Sequence, residues 1–305
     1  MVGGWFVTGP VRANYAQSYF NEGEKLLQER NDRQAIIEYK KAIYLQEKSD
    51  YLFALGEVYF LNQNYSQAEY YFKKTIKKDA NNAQALFGLS ENYFVQQKYD
   101  QALSTIEGKN SADLLLKIQL ARIYLSQEQD DKAENAIKSQ TDNLAKFYQA
   151  KILLYQQQLE TAINKLSEVE KKAGDQKRTM LIAEPGESDI QIIKDAISQS
   201  KKTANDATRK VIFGESLNQT GDAACALSIL KRVAEGDPTY RDAYVFLGHS
   251  YILVRNFEAA KDALLKAKEL DPIYYPTWMY LAQAYEGLGN SELAKTCADK
   301  AEKLK

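Results

Sequence analysis

Few residues in this chain could do chemistry, and their spacing does not suit it. His249 is the only histidine in 305 residues, so neither a multi-histidine metal site nor a separate histidine acid–base pair can be assembled. Cys225 and Cys297 fall in different helical segments and read as small core residues, not as a disulfide or metal pair. Gly287-Leu288-Gly289 starts like a nucleotide fingerprint but lacks the third glycine and a preceding strand. Gly214-Glu215-Ser216 and Gly186-Glu187-Ser188 both lack the second glycine of a nucleophile elbow. There is no phosphate-binding loop, paired-cysteine zinc motif or calcium loop. Asn64-Tyr65-Ser66 and Asn218-Gln219-Thr220 match the glycosylation acceptor, a pattern short enough to arise by accident. The expectation is a non-enzyme, with no catalytic, metal or cofactor-binding residues and no cofactor.

The elements that carry these residues follow a repeat. Residues 241–274 hold two amphipathic helical patterns joined by Val254-Arg255-Asn256-Phe257. With Arg241 as position 1, Gly248 is position 8, Tyr251 position 11, Ala260 position 20 and Pro272 position 32. The frame from 207 gives Gly214, Leu217, Ala226 and Pro238; the frame from 275 gives Trp278, Ala282, Tyr285 and Ala294. Small residues at 8 and 20 let two helix backbones approach, and large apolar residues at 4, 7, 11 and 24 fill the remaining space. Asp237-Pro238 and Asp271-Pro272 end one helix and start the next, because proline is tolerated only at a helix start.

This 34-residue pattern resembles the tetratricopeptide repeat, a helix–turn–helix unit. The resemblance implies an all-α, right-handed superhelical solenoid of about eight helix pairs, whose first helices line a concave groove. It implies binding of a peptide or partner protein, and no chemistry.

From the N-terminus, residues 1–15 stand outside the array. Val2 to Val7 reads either as a frayed terminus or as the trimmed end of a membrane anchor reaching to about residue 9, too short to span a bilayer. Residues 16–176 hold repeats one to five, of which the fourth and fifth are degenerate. Residues 177–206 break the array with Ala183-Glu184-Pro185-Gly186-Glu187-Ser188-Asp189 and a helix expected over Ile190–Lys201, capped by Ser188 or Asp189. Residues 207–305 hold repeats six to eight. Forty basic against 41 acidic residues argue against a general nucleic-acid binder.

In the family the resemblance points to, positions 2, 5, 6, 9, 12 and 13 of each first helix face the groove. Carried onto this chain, the groove candidates are Phe20, Glu24, Phe53, Glu57, Phe60, Phe87, Glu91, Phe94, Arg122, Phe147, Tyr148, Lys151, Tyr155, Phe246, His249, Met279 and Tyr280. About half of the apolar ones are expected to be buried between neighbouring helices, with Phe53, Phe87 and Phe147 the leading groove residues. The position-9 charge runs from Glu24, Glu57 and Glu91 to Arg122 and Lys151, then back to Glu215. A lysine–asparagine clamp for a C-terminal carboxylate is absent, since only Asn21 fits it. His249 reads as a packed groove residue more than as a switch. The expectation is a scaffold that binds a peptide or helix of a partner protein in an aromatic groove. The alternative is a structural subunit of a membrane-associated assembly that uses its convex face or ends.

Overall fold

The computed structural model describes residues 9–109, 113–169, 177–179 and 182–305. Among them, eight helix pairs and one additional helix follow in order. The first helices of the pairs are α1 (Gly9–Gln28), α3 (Ser49–Leu61), α5 (Ala83–Phe94), α7 (Leu114–Ser126), α9 (Asn143–Tyr155), α12 (Asp206–Gln219), α14 (Arg241–Leu253) and α16 (Tyr275–Gly287). Their partners are α2 (Asp32–Leu45), α4 (Tyr65–Lys78), α6 (Tyr99–Ile106), α8 (Asp130–Ile137), α10 (Leu159–Ser167), α13 (Ala223–Gly236), α15 (Phe257–Leu270) and α17 (Ser291–Leu304). Between pairs five and six lie two short paired strands, β1 (Lys177–Thr179) and β2 (Ile182–Ala183), and helix α11 (Glu187–Ser200).

Two boundaries differ from the sequence expectation. Helix α1 begins at Gly9, ahead of residue 16, because Pro10 stands at a helix start where its missing N–H costs nothing. The anchor reading of Val2 to Val7 lies outside the described residues. Helix α11 is capped at Gly186, whose N–H donates to Asp189 Oδ2 at 2.8 Å, so Asp189 caps from within the first turn and not from ahead of it.

One backbone device turns every pair. The residue at position 15 is left-handed: Arg30, Gln63, Gln97, Glu128, Gln157 and Arg255 have φ between 57° and 63°, and Gly221 and Gly289 have 81° and 75°. The next residue then closes the first helix with its N–H, as Asn64 does to Tyr59 O (2.9 Å), Asn256 to Tyr251 O (2.8 Å) and Asn290 to Tyr285 O (2.9 Å). The side chain of that same asparagine opens the second helix. Asn256 Oδ1 accepts from Ala259 N at 3.3 Å, and Asn290 Oδ1 from Leu293 N at 3.1 Å.

The helices of a pair cross where position 8 is glycine. A Cβ on Gly248 would lie 2.4 Å from Leu264 Cγ, and one on Gly214 would lie 2.6 Å from Leu230 Cγ. The glycine therefore makes room for the large residue at position 24, while Ala35, Ala68, Ala102, Ala226 and Ala260 at position 20 are fully buried.

Contacts divide the chain into two compact units. The first spans residues up to Gln119, and the second takes Leu120 and the helices after α7. Each is treated by itself below.

Gly248→Ala should lower stability by about 1–3 kcal/mol, because the added methyl overpacks against buried Leu264. Gly236→Ala, where nothing lies within 4 Å, should cost nothing. Urea midpoints of the two variants beside the parent check this.

Candidate functional site

In the first unit the groove candidates separate by burial. Phe20, Glu24, Phe53 and Phe60 are half-buried. Phe20 stacks on Tyr51 at 4.6 Å, Phe53 tilts against Phe72 at 5.8 Å, and Glu24 accepts a hydrogen bond from the Tyr39 hydroxyl. Burial and the Glu24 carboxylate drive the Tyr39 hydroxyl well above its ordinary pKa. Glu57, Phe87, Glu91 and Phe94 are buried instead. Helix α5 buries every residue from Ala85 to Phe94, so Phe87 has no open side, and Glu91 accepts from Gln119 Nε2 at 2.9 Å. Phe87 and Phe94 are therefore interior residues in this conformation, not exposed groove residues.

In the second unit the largest correction concerns Arg122, Phe147, Tyr148 and Lys151. All four are buried, and three of them, Arg122, Tyr148 and Lys151, meet the start of the chain's own helix α13. At its N-terminus Asp222, 3% exposed, forms ion pairs with Arg122 Nε at 2.8 Å and Lys151 Nζ at 2.5 Å, and accepts from the Tyr148 hydroxyl at 3.1 Å. The Lys151 ammonium also sits 4.6 Å from the ring centres of both Phe147 and Tyr148, which softens its desolvation. Burial pushes the Asp222 carboxyl up, but Lys151 and Arg122 together outweigh it and hold the carboxyl below its ordinary range. Further along α13, Ser228 Oγ and Arg232 Nη1 both donate to Ser126 O at the end of α7, and Arg232 Nε pairs with Glu128 Oε1 at 3.2 Å. Tyr155, half-buried, packs on Phe213 of α12 at 5.4 Å.

Asp222 occupies position 16, where Asn31, Asn64, Asn256 and Asn290 cap the second helix. Its N–H still closes α12 onto Leu217 O at 2.8 Å, but its side chain makes no cap. The carboxylate is turned to the two cations. The sequence carried a signal for this. Position 16 is acidic only here, position 9 is basic only at Arg122 and Lys151, and α13 reads AACALSIL, apolar on every face.

The remaining candidates lie along the shared face of α12, α14 and α16. Asn218 of α12 spaces the first two helices: its Nδ2 donates to Phe246 O at 3.1 Å, and Ser250 Oγ donates to its Oδ1 at 2.8 Å. Phe246, His249, Met279 and Tyr280 are all half-buried there. His249 stacks on Tyr280 with ring centres 4.4 Å apart and an interplanar angle of 17°. Burial lowers the His249 pKa to about 4, leaves its Nδ1 without a hydrogen bond, and with the Glu215 charge raises the Tyr280 hydroxyl to about 12. Glu215 is half-buried on the same face. Burial first, then the Asp242 charge, raise its carboxyl to about 7.

Among the described residues no group of three His, Cys, Asp or Glu side chains could hold a metal ion. Cys225 is fully buried, and burial and Asp222 push its thiol up to about 11, so it is an inert core residue.

Stacked helix pairs with left-handed elbows and a glycine–large-residue crossing define a helical-repeat protein. Family models agree. That of the tetratricopeptide repeat matches residues 242–274 and 275–305, and that described as anaphase-promoting complex, cyclosome, subunit 3 matches 28–109. The chain is a tetratricopeptide-repeat protein, and such a fold is a scaffold for protein–protein interaction. No curated protein matches it in sequence.

Solved structures overlay on most of the chain at low identity. A chain of the APC/C hetero-tetramer Cut9-Hcn1 is 13% identical over 96% of this chain and 66% of that one, with a TM-score of 0.39. The chain thus spans just under two thirds of that protein's length. Pseudomonas aeruginosa pilF is 14% identical over 77% of this chain and 97% of its own, TM-score 0.46. The yeast Sti1 TPR2AB-domain:pHSP90 complex is 16% identical over 94% and 98%, TM-score 0.34. It is the repeat models, not these overlays, that identify the repeat.

Asp222→Ala should cost about 3–5 kcal/mol, because it removes the carboxylate that two buried cations share, whereas Arg122→Met, Lys151→Met and Asp222→Leu together should cost far less. Chemical denaturation of the two variants separates these outcomes. Folded Glu215 keeps a proton between its ordinary pKa of 4.5 and about 7, where the unfolded chain has lost it, so stability falls as pH rises through 7. Glu215→Gln should remove that decline and raise the melting temperature at pH 8 more than at pH 5. His249 acts at the other end. The unfolded chain takes its proton below 6.5 and the folded one only near 4, so His249→Gln should flatten the loss of stability across that interval.

Proposed function

We propose that the protein is a non-enzymatic scaffold that holds a peptide or helix of a partner protein against its first-helix faces, chiefly that of α12, α14 and α16. One observation carries this reading. Phe246, His249, Met279 and Tyr280 line a single face while remaining only half-buried, although α13 in the same unit buries ten of its 14 residues. Large, stiff aromatic groups left partly open are what binding surfaces use as anchors. Phe20, Phe53 and Phe60 of the first unit are a lesser surface of the same kind. Arg122, Phe147, Tyr148 and Lys151 are already covered within the chain.

A second reading, a structural subunit that contacts partners through its second helices, draws on Tyr44 (81% exposed) of α2 and Tyr70 (54%) of α4. A membrane enters only through the anchor reading of residues 1–9, since no described helix is long and apolar enough to cross a bilayer. Nucleic acid is not a proposed partner, given a net charge of −1.

Affinity capture from the host extract with the parent chain, Phe246→Ala/Tyr280→Ala and Tyr44→Ala/Tyr70→Ala should show the same protein held by the parent and the last variant but lost from the first. Helicity should be unchanged in all three. Loss from the Tyr44/Tyr70 variant alone would favour the assembly reading.

A further inference from the structure

Glu215 is the carboxylate that the fold leaves unanswered. Aspartates elsewhere in the same unit have cations or hydrogen-bond donors. Asp242 and Asp271 each pair with Arg241 at 2.6 Å, and Asp237 accepts from Thr239. Asp222 holds Arg122 and Lys151. Glu215 makes one hydrogen bond, from Gln219 Nε2 at 3.2 Å, has no ion pair among the described residues, and feels the charge of Asp242, of the same sign. A half-buried carboxylate beside a like charge is destabilised whenever it ionises, and a cation brought to it relieves both burdens at once.

The surroundings suit a cation on an apolar stem. Tyr274 and Tyr280 lie close enough to feel the Glu215 charge, and the Arg241 guanidinium already rests on the Tyr274 ring at 3.7 Å. The His249–Tyr280 stack, with Phe246 and Met279 alongside, gives flat and polarizable surface for methylenes or a guanidinium plane. An acidic segment would meet Glu215 as repulsion.

We propose that the face of α12, α14 and α16 receives a partner segment carrying a lysine or arginine flanked by apolar residues, with that cation paired to Glu215. This rests on the scaffold reading above and adds the chemistry of the partner. The stem lies over the aromatic stack while the charged head reaches the carboxylate. Selectivity for a basic over an acidic segment then comes from Glu215, and affinity from Phe246, Met279 and Tyr280.

The test uses the full chain and a displayed library of random linear peptides, selected on the parent. Recovered peptides should be enriched in lysine or arginine beside apolar residues. Replacing that lysine by norleucine in a synthetic recovered peptide should weaken binding about tenfold to the parent but leave binding to Glu215→Gln nearly unchanged, the signature of a direct pair. Selection on Glu215→Lys should shift the preference to aspartate or glutamate. Thermal melts of both variants confirm that they are folded.

Binding that depends on Phe246→Ala yet shows no coupling to Glu215 would overturn the cation assignment and leave the scaffold reading standing. Binding indifferent to both Phe246 and Glu215, or no recovered peptide at all, would overturn both. A parent chain that sediments as a dimer, which Glu215→Lys returns to monomer, would replace the partner by a second copy.

Discussion

A single carboxylate, Asp222, joins three helices that are distant in sequence. It sits at the elbow between α12 and α13, where its backbone does what every other elbow does, and it turns its side chain into the faces of α7 and α9. The burial of Arg122 and Lys151 draws on it, because the cost of stripping water from two cations far exceeds what packing alone returns. With it in place, α13 lies among its neighbours with ten residues buried. The arrangement of the second unit rests on this ion cluster and on the apolar helix it seats.

This also explains which faces can serve a partner. In a helical-repeat array the first helices share one side, and a ligand placed there meets residues from several repeats. Here repeats four and five give that side to their own chain. Repeats six to eight do not, and the face of α12, α14 and α16 keeps a half-open aromatic lining around the unpaired Glu215. The two faces differ in sign. The covered one is basic and holds an acid from within the chain, while the open one carries Glu215.

Much of the architecture was legible in the sequence. The glycine at position 8, the aromatic at 11 and the alanine at 20 report contacts between helices that follow one another, and such contacts recur at a fixed interval. Gly248 against Leu264 is one of them. The pairing of helices follows from that interval. Contacts that return from a distant repeat leave no period. Arg122 and Lys151 fit a groove position by register alone, and their burial follows from an aspartate at an elbow where other repeats carry asparagine. Phe87 likewise occupies a groove register but belongs to α5, a helix buried along nearly its whole length. Register tells which way a side chain starts out, not what has been laid over it.

The reach of α13 back to α7 has a further consequence for how the second unit assembles. Arrays of this kind fold by nearest-neighbour addition, with short loops to close and stability that grows one repeat at a time. The bonds from Cys225, Ser228 and Arg232 to Arg122 and Ser126 span 103, 102 and 106 residues. Closing them costs the entropy of a loop that long before the ion cluster can form. An otherwise piecemeal array is thereby made cooperative across its middle. Helix α13 thus ties its own repeat to one that precedes it by about a hundred residues, a link that neighbour-to-neighbour packing does not supply.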